Sequence, residues 1–274
     1  MSTAPRLSVI GGGAMGEALL RGVLARGLYE PADILISDPL DTRRAYLNNE
    51  FGISVTAHNR ACLAAPLIIL AVKPNNLAGV LDGFRACWPP DALLVSILAG
   101  KTLADIATSL PENAAVVRVM PNTPALIGWG MAALAANSAT RPEQKQAAIT
   151  LFEAVGEVVE LPEAYFDSVT GLSGSGPAYV FLMIEALIEA GVYQGLPRRV
   201  ARQLVLQTVL GAARMVKETD HHPAELKEQV TSPGGTTAAG LQVLEAAAIR
   251  SILIQAVQAA TLRSRALSSA QTGI

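Results

Sequence analysis

The sequence predicts an α/β domain followed by an all-helical one. Three observations carry this. Short β-type runs alternate with helical patterns through the first half. A glycine cluster separates the first run from the first helix, and beyond Leu161 strand-like alternation stops while helical periodicity takes over. Strands alternating with helices mean a parallel sheet wound on both sides.

In order, Leu7-Ser8-Val9-Ile10 leads through glycines to a helical stretch over residues 17–25. Ile34-Leu35-Ile36 is followed by a polar, Arg-rich segment over 41–49 and by a short run at Ile53-Ser54-Val55. Leu67-Ile68-Ile69-Leu70-Ala71-Val72 is continuously apolar, as a strand buried on both faces of a parallel sheet must be. Leu93-Leu94-Val95-Ser96-Ile97 and Val116-Val117-Arg118-Val119 repeat the pattern around a helical segment at 102–109, and Glu157-Val158-Val159-Glu160-Leu161 closes the series. In the second half, residues 177–190 put Val180, Met183, Ile184, Leu187 and Ile188 on one helical face. Pro197 opens a helix running to about Lys217, since proline is tolerated in a first turn. A shorter helix covers 223–230. A last one runs from Thr236 through Leu241, Leu244, Ala248, Ile252, Gln255, Ala256 and Ala259 to Leu262. The expected domains are residues 1–162 and 163–274. The helices of the second are rich in Ala and Gly and carry more apolar surface than four helices can hide alone, which predicts a homodimer.

Of 274 residues, 51% are hydrophobic and 16% charged, a balance that excludes disorder. Lys plus Arg number 21 against 23 Asp plus Glu, a net charge of −2, without the basic stripe of a nucleic-acid binder; Arg198, Arg199 and Arg202 read as a solvated face. Cys62 and Cys87, both among apolar residues, build neither a disulfide framework nor a zinc site and read as buried thiols. His221-His222 reads as a solvated loop, and no metal site is expected. The N-terminus lacks a signal-peptide pattern, and the longest apolar stretch, residues 61–72, is 12 residues long and contains Pro66, too short to span a membrane. The expectation is a soluble, cytoplasmic protein with neither nucleic-acid nor membrane partners.

Gly11, Gly13 and Gly16 form G-x-G-x-x-G between a strand and a helix, the context in which the motif binds a dinucleotide in a Rossmann-type, doubly wound domain. Gly11 permits the tight turn, Gly13 lets pyrophosphate approach the backbone, and Gly16 lets helix and strand pack closely. The helix start supplies free N–H groups and partial positive charge. Ser37-Asp38 ends the second strand, where the adenosine ribose is read. Asp38 suits a free 2′-hydroxyl and hence NAD, whereas Arg43 and Arg44 suit a 2′-phosphate and hence NADP; both stand. Ala71-Val72-Lys73-Pro74 ends the most buried strand and should border the cofactor, because ligands bind beyond the carboxyl ends of such strands. Residues 96–100 and Met120-Pro121-Asn122-Thr123-Pro124 should lie on the nicotinamide side.

In the second half, Gly171-Leu172-Ser173-Gly174-Ser175-Gly176-Pro177 and Thr231-Ser232-Pro233-Gly234-Gly235-Thr236-Thr237 each run into a long helix. Free backbone N–H groups beside hydroxyls suit a carboxylate. No histidine is placed as a catalytic acid; Lys73, Glu163, Asp167 and Asp220 are the other candidates. Hydride addition to a carbonyl needs a proton donor for the developing alkoxide, whereas an activated imine carbon does not. A β-hydroxyacid dehydrogenase is set aside, because its catalytic lysine position holds Val180. A non-catalytic dinucleotide sensor would leave the Gly-Gly-Thr-Thr run without purpose.

Together the glycine loop, Ala71-Val72-Lys73-Pro74, Met120-Pro121-Asn122-Thr123-Pro124, Leu172-Ser173-Gly174-Ser175-Gly176-Pro177-Ala178-Tyr179 and Ser232-Pro233-Gly234-Gly235-Thr236-Thr237 resemble the pyrroline-5-carboxylate reductase family. The likeness spans nearly the whole chain. It implies reduction of the cyclic imino acid Δ1-pyrroline-5-carboxylate to L-proline with NADPH or NADH. It also implies an all-α C-terminal dimerisation domain, with dimers often assembled into a decamer. By resemblance, Ile10, Gly11, Gly12, Gly13, Ala14 and Met15 form the pyrophosphate loop, and Ser37, Asp38 and Asn59 the adenosine side. Ala71, Val72, Lys73 and Pro74 wall the cofactor, Ile97, Leu98 and Ala99 approach nicotinamide, and Asn122 joins them. Thr237 is implied as the catalytic hydroxyl on the ring nitrogen, the backbone of Thr236 and Thr237 as the carboxylate holder, and Gly235 as part of the substrate surroundings. Glu163, Ser175, Gly176, Asp220 and Gln229 are implied around the substrate. Leu98 departs from the smaller residue usual there, which would tighten the nicotinamide pocket. A six-membered cyclic imine remains an alternative substrate.

Overall fold

The computed structural model describes residues 4–269. Its sheet has eight strands: β1 (Leu7–Ile10), β2 (Ile34–Ser37), β3 (Ser54–Thr56), β4 (Leu67–Leu70), β5 (Leu93–Ser96), β6 (Ala115–Met120), β7 (Gly130–Ala136) and β8 (Gly156–Glu160). Their spatial order is β3-β2-β1-β4-β5-β6-β7-β8. All neighbours are parallel except β6 and β7, so the last two strands run against the first six. The chain winds outward from β1 to β3 and then returns to lay β4 beside β1. That reversal opens a crevice at the carboxyl ends of β1 and β4, the place where such sheets bind ligands.

The two-residue period of the central strands sorts their side chains to two cores. On one face, Leu7, Val9, Ile34, Ile36, Ile69 and Val95 pack with helices α1 (Ala14–Ala25) and α5 (Pro142–Glu153). On the other, Ile68, Leu70, Leu94 and Val116 pack against α3 (Leu77–Leu81), Phe84, Trp88 and α4 (Leu103–Ala107). The helix α2 (Asp41–Phe51) adds Leu47 to the first core. Both β1 and β4 are buried throughout, whereas edge strands β3 and β8 are largely uncovered.

Three features depart from the sequence reading. Strand β7 and helix α5 were not anticipated: β7 reads Gly-Met-Ala-Ala-Leu-Ala-Ala, with none of the β-branched or aromatic residues that mark strands, and pairing with β6 and β8 overrides that composition. The antiparallel β6–β7 step likewise breaks the expected all-parallel winding. The last helix is two helices, α10 (Thr236–Ala246) and α11 (Ile249–Ser269), bent by 49° at a break where Ala248 takes a φ of 55°. A left-handed alanine cannot continue a right-handed helix.

Contacts divide the chain into two compact units, one reaching to Ser175 and rejoined from Ala260 onward, the other Gly176–Ala259. The short α6 (Phe166–Val169) and one π-turn (Thr170–Gly174) end the first stretch. The second unit holds α7 (Gly176–Tyr193), α8 (Arg198–Thr219), α9 (Pro223–Gln229) and α10. Helices α7 and α8 approach closely at Gly191, where a Cβ would lie 2.9 Å from the Ala201 methyl. Ala201 is the one buried residue of α8, and α7 and α10 bury none. Phe181, Leu182, Val243 and Ile254 are each more than 60% exposed. Among the described residues, the 31-residue helical run Glu163–Tyr193 holds an 18-residue window with a mean hydropathy of 1.3, which by length and composition alone would suffice to cross a membrane.

Candidate cofactor and active site

The crevice is built from backbone. Gly11 follows β1 with a φ of 104°, and a Cβ there would sit 2.6 Å from the Ala71 carbonyl, so only glycine fits between β1 and the end of β4. Gly11 N–H donates to the Ser37 carbonyl at 2.8 Å. A Cβ on Gly16 would meet the Gly11 carbonyl at 2.4 Å, which is the close helix–strand packing expected of it. Gly13 caps α1 in extended conformation, and a Cβ there would meet nothing within 4 Å. Open space beside the first-turn amides, which lack partners within a helix, is what a bound pyrophosphate requires. The residues present therefore fit a dinucleotide.

At the end of β2, Ser37 is buried and donates its hydroxyl to Asn59 Oδ1 at 2.9 Å. The Asp38 carboxylate takes the Gly12 N–H on Oδ2 at 3.0 Å and the Leu40 N–H on Oδ1 at 2.9 Å. Arg43 bonds the Gly12 carbonyl and the Glu17 carboxylate. Burial pushes the Glu17 carboxyl up, but bonds from Arg43, Arg21 and Tyr46 outweigh it and hold it below the usual carboxylate range. Arg44 donates to the Asp38 carbonyl at 2.6 Å and pairs with Asp41. A cleft of about 430 Å3 beside this edge is lined by Gly11, Ser37, Asn59, Val72 and Asn76 among others.

Strand β4 ends at Leu70, and Ala71 N–H then donates to the Ile10 carbonyl at 2.8 Å. Lys73 precedes a short 3-10 turn, Pro74–Asn76, opened by Pro74. Ile97 N–H donates to the Leu70 carbonyl at 3.1 Å. Leu98 is 2% exposed, its side chain in the core with Ile68 and Leu70. It therefore fills the core and narrows no pocket. Asn122 accepts the Met131 N–H at 2.8 Å and donates to the carbonyl and hydroxyl of Ser173 at 3.3 Å, tying β7 to the π-turn. A second cavity of about 310 Å3 is lined by Pro74, Ala99, Gly100, Ser175 and Arg263.

Glu163 is committed in a way the sequence did not reveal. Its Oε1 accepts both the Arg118 guanidinium at 2.8 Å and the Leu103 N–H at 2.7 Å. Arg118 is 4% exposed and stacks over the Phe166 ring at 4.7 Å. Ser264, also buried, donates to Asp167 at 2.7 Å. An arginine within the apolar β6 run was the available signal for the first pair; the second joins residues 97 apart and left none. Cys87 corrects another expectation: only Cys62 is buried, whereas Cys87 is exposed, because the residues after α3 turn along the surface. His221 and His222 are exposed, the latter accepting the Ala224 N–H at the start of α9.

In the helical unit, Gly234 has a φ of 68° and Gly235 begins α10 without a side-chain cap. The positive φ at Gly234 is what this turn needs glycine for; a Cβ on Gly235 would meet the rotatable Ser232 hydroxyl at 2.3 Å. The result is a bare helix start at Thr236 and half-buried Thr237, with amides open to an anion. Gly176 begins α7, exposed Asp220 ends α8 in the left-handed region, and exposed Gln229 ends α9. Within each unit, then, the expected residues gather: Ile10–Met15, Ser37, Asp38, Asn59, Ala71–Pro74 and Ile97–Ala99 at strand ends of the first, and Gly235, Thr236 and Thr237 at one helix start of the second.

Residues 163–267 match the family model for pyrroline-5-carboxylate reductase dimerisation, and residues 6–100 match that of NADP oxidoreductases, coenzyme F420-dependent. A pyrroline-5-carboxylate reductase of Synechocystis sp. is 49% identical over 96% of this chain and 98% of its own length. That of Escherichia coli is 38% identical over 96% and 98%. Among solved structures, the pyrroline-5-carboxylate reductase of Coxiella burnetii superposes with a TM-score of 0.90 at 36% identity, covering 97% of this chain and 99% of that one. The Plasmodium falciparum enzyme, solved with NADP bound, gives 0.86 at 32% identity, covering 98% and 99%. With its uncapped Gly-Gly-Thr-Thr helix start and its glycine crevice, the chain belongs to the pyrroline-5-carboxylate reductase family.

Proposed function

We propose that this chain reduces Δ1-pyrroline-5-carboxylate to L-proline, the last step of proline synthesis, using NADPH or NADH. The observation that carries the reading is the pairing, in one chain of this family, of an open glycine cradle at Gly13 with a bare helix start at Thr236. Bound there, the dinucleotide supplies a hydride to the C=N carbon. Residues 1–162 form the dinucleotide-binding domain, with the pyrophosphate on Ile10–Met15 and the adenosine beside Ser37, Asp38 and Asn59. Ala71–Pro74, Ile97–Ala99 and Asn122 border the nicotinamide, Leu98 and Asn122 through backbone or position, since their side chains are engaged elsewhere.

Residues 163–274 bind substrate and dimerise. The amides at Thr236 and Thr237 hold the carboxylate, favoured by the partial positive charge of the helix start, while the Gly235 N–H is donated to the Ser232 carbonyl at 3.0 Å. Thr237 donates its hydroxyl to the ring nitrogen. As electron density shifts from carbon to nitrogen that bond strengthens, so it favours the transition state over the ground state. The substrate reacts as the iminium, already protonated on nitrogen, so hydride addition to its carbon leaves a neutral ring amine and no alkoxide needs a proton, which agrees with the absence of a placed histidine. Glu163, Ser175, Gly176, Asp220 and Gln229 complete the substrate surroundings. The uncovered apolar helices support self-association, with five dimers assembling into a decamer in the cytoplasm.

Loss of reduced-nicotinamide absorbance on mixing protein, dinucleotide and pyrroline-5-carboxylate tests the reading, with the six-membered cyclic imino acid in parallel. Turnover of the five-membered ring is expected. No turnover with either dinucleotide would refute it.

A further inference from the structure

We propose that Arg263 makes this chain bind the reduced dinucleotide in preference to the oxidised one, by setting an unpaired guanidinium at the nicotinamide end of the crevice. This rests on reading the glycine crevice as a dinucleotide site and deepens that reading.

The two cavities of the first unit adjoin. Asn75 lines both the cleft of about 430 Å3 beside Gly11 and Ser37 and the cavity of about 310 Å3 beside Ala99 and Gly100. A dinucleotide crosses such a sheet at its switch point, so with adenosine in the first the nicotinamide falls to the second. One wall of that second cavity is the part of α11 that belongs to the first unit, through Ala260, Arg263, Ser264 and Leu267. Two contacts hold this wall. Buried Ser264 donates to Asp167 at 2.7 Å, and a Cβ built on Gly100 would lie 3.8 Å from that of Leu267. Among the described residues that line the cavity, Arg263 alone is charged, and it forms no ion pair with any of them. The carboxylates of the segment leading into α6 are engaged elsewhere, Asp167 with Ser264 and Glu163 with Arg118 and the Leu103 N–H.

Reduced nicotinamide is neutral and the oxidised ring carries one positive charge, while the rest of the dinucleotide is the same in both. A guanidinium stays protonated throughout the working pH range. Its attraction for the shared phosphates is therefore common to both forms, and its repulsion falls on the oxidised ring alone, more strongly across an apolar cavity than across water. Because Arg263 is exposed, solvent screens much of that repulsion, and the expected effect is several-fold rather than orders of magnitude. In the reaction, Arg263 eases release of the spent dinucleotide and weakens its product inhibition.

Calorimetric titration of the intact protein with NADPH and with NADP+ tests this without catalysis. The unmodified protein should bind NADPH about five- to tenfold more tightly. Arg263→Met keeps an apolar stem and removes the charge, and should lower the ratio of the two Kd values by about threefold or more, chiefly by tightening NADP+ binding. Arg263→Gln should do the same, which guards against a poorly folded Met variant, and Arg263→Lys should retain the ratio. Lys101→Met removes a charge one residue beyond Gly100, outside the lining, and should change the ratio less than about twofold. In steady-state assays, product inhibition by NADP+ should strengthen in parallel in Arg263→Met. An unmodified protein without preference for NADPH, an unchanged ratio in both neutral variants, loss of the ratio in Arg263→Lys, or an equal change in Lys101→Met would overturn the assignment while leaving the crevice a dinucleotide site. Failure of the folded protein to bind either dinucleotide would remove that site and the proposal together.

Discussion

Glu163→Ala should be among the most destabilising single changes available in this chain. The carboxylate lost is the counter-charge of Arg118, whose side chain is 5% exposed against 29% for Glu163 itself. Removing one partner of such a pair leaves an uncompensated buried charge, a loss of about 3–5 kcal/mol. The Leu103 N–H also loses its acceptor, although water reaching the vacated, partly exposed position offsets some of this. The lower half of that range, about 3–4 kcal/mol, is therefore expected. Glu163→Gln keeps an acceptor for both donors and should cost only about 1–2 kcal/mol. Arg118→Met combined with Glu163→Ala removes the orphaned charge and should recover about half of the loss, leaving the unmet Leu103 amide and the vanished Phe166 stacking. Urea unfolding at one fixed protomer concentration measures all three, since self-association makes stability depend on concentration. A Glu163→Ala cost below about 1 kcal/mol, or a double variant no more stable than Glu163→Ala alone, would refute the reasoning.

Thr237→Ala should lower kcat/KM for pyrroline-5-carboxylate by roughly ten- to a hundredfold, the loss of one strengthened hydrogen bond, in steady-state assays. Gly11→Ala forces a methyl to 2.6 Å from the Ala71 carbonyl at a φ of 104°, and should abolish dinucleotide binding measured by nicotinamide fluorescence. Of the two thiols, exposed Cys87 should react with a thiol reagent in the native protein, and Cys62, whose thiol burial pushes up, only after unfolding. The Glu17 carboxyl is held below its ordinary value of 4.5, so its contribution to stability is complete above that pH and lost as pH falls through the folded value. Glu17→Gln should accordingly flatten the acid limb of a stability–pH curve.

Much of the site was legible because it is made of backbone. Gly11, Gly13, Gly16, Gly234 and Gly235 mark where a Cβ cannot sit or where a ligand must approach, and a glycine run between a strand and a helix announces that without any tertiary knowledge. The central parallel strands were readable for a similar reason: a strand buried on both faces is predominantly apolar, as β4 is throughout. Strand β7 was not readable, because a run of alanines has no preference that pairing cannot override.

The amino-acid order alone thus determined the α/β-then-helical arrangement, the cradle for a dinucleotide and the helix start for an anion, all local consequences of backbone freedom and periodicity. Tertiary structure decided which charges meet. That Arg118 needs Glu163, that Asp38 is bound to Gly12, and that Cys87 lies outside while Cys62 lies within depend on residues far apart in the chain. Electrostatic pairing and burial are set by distance in space, and no sequence period encodes that distance.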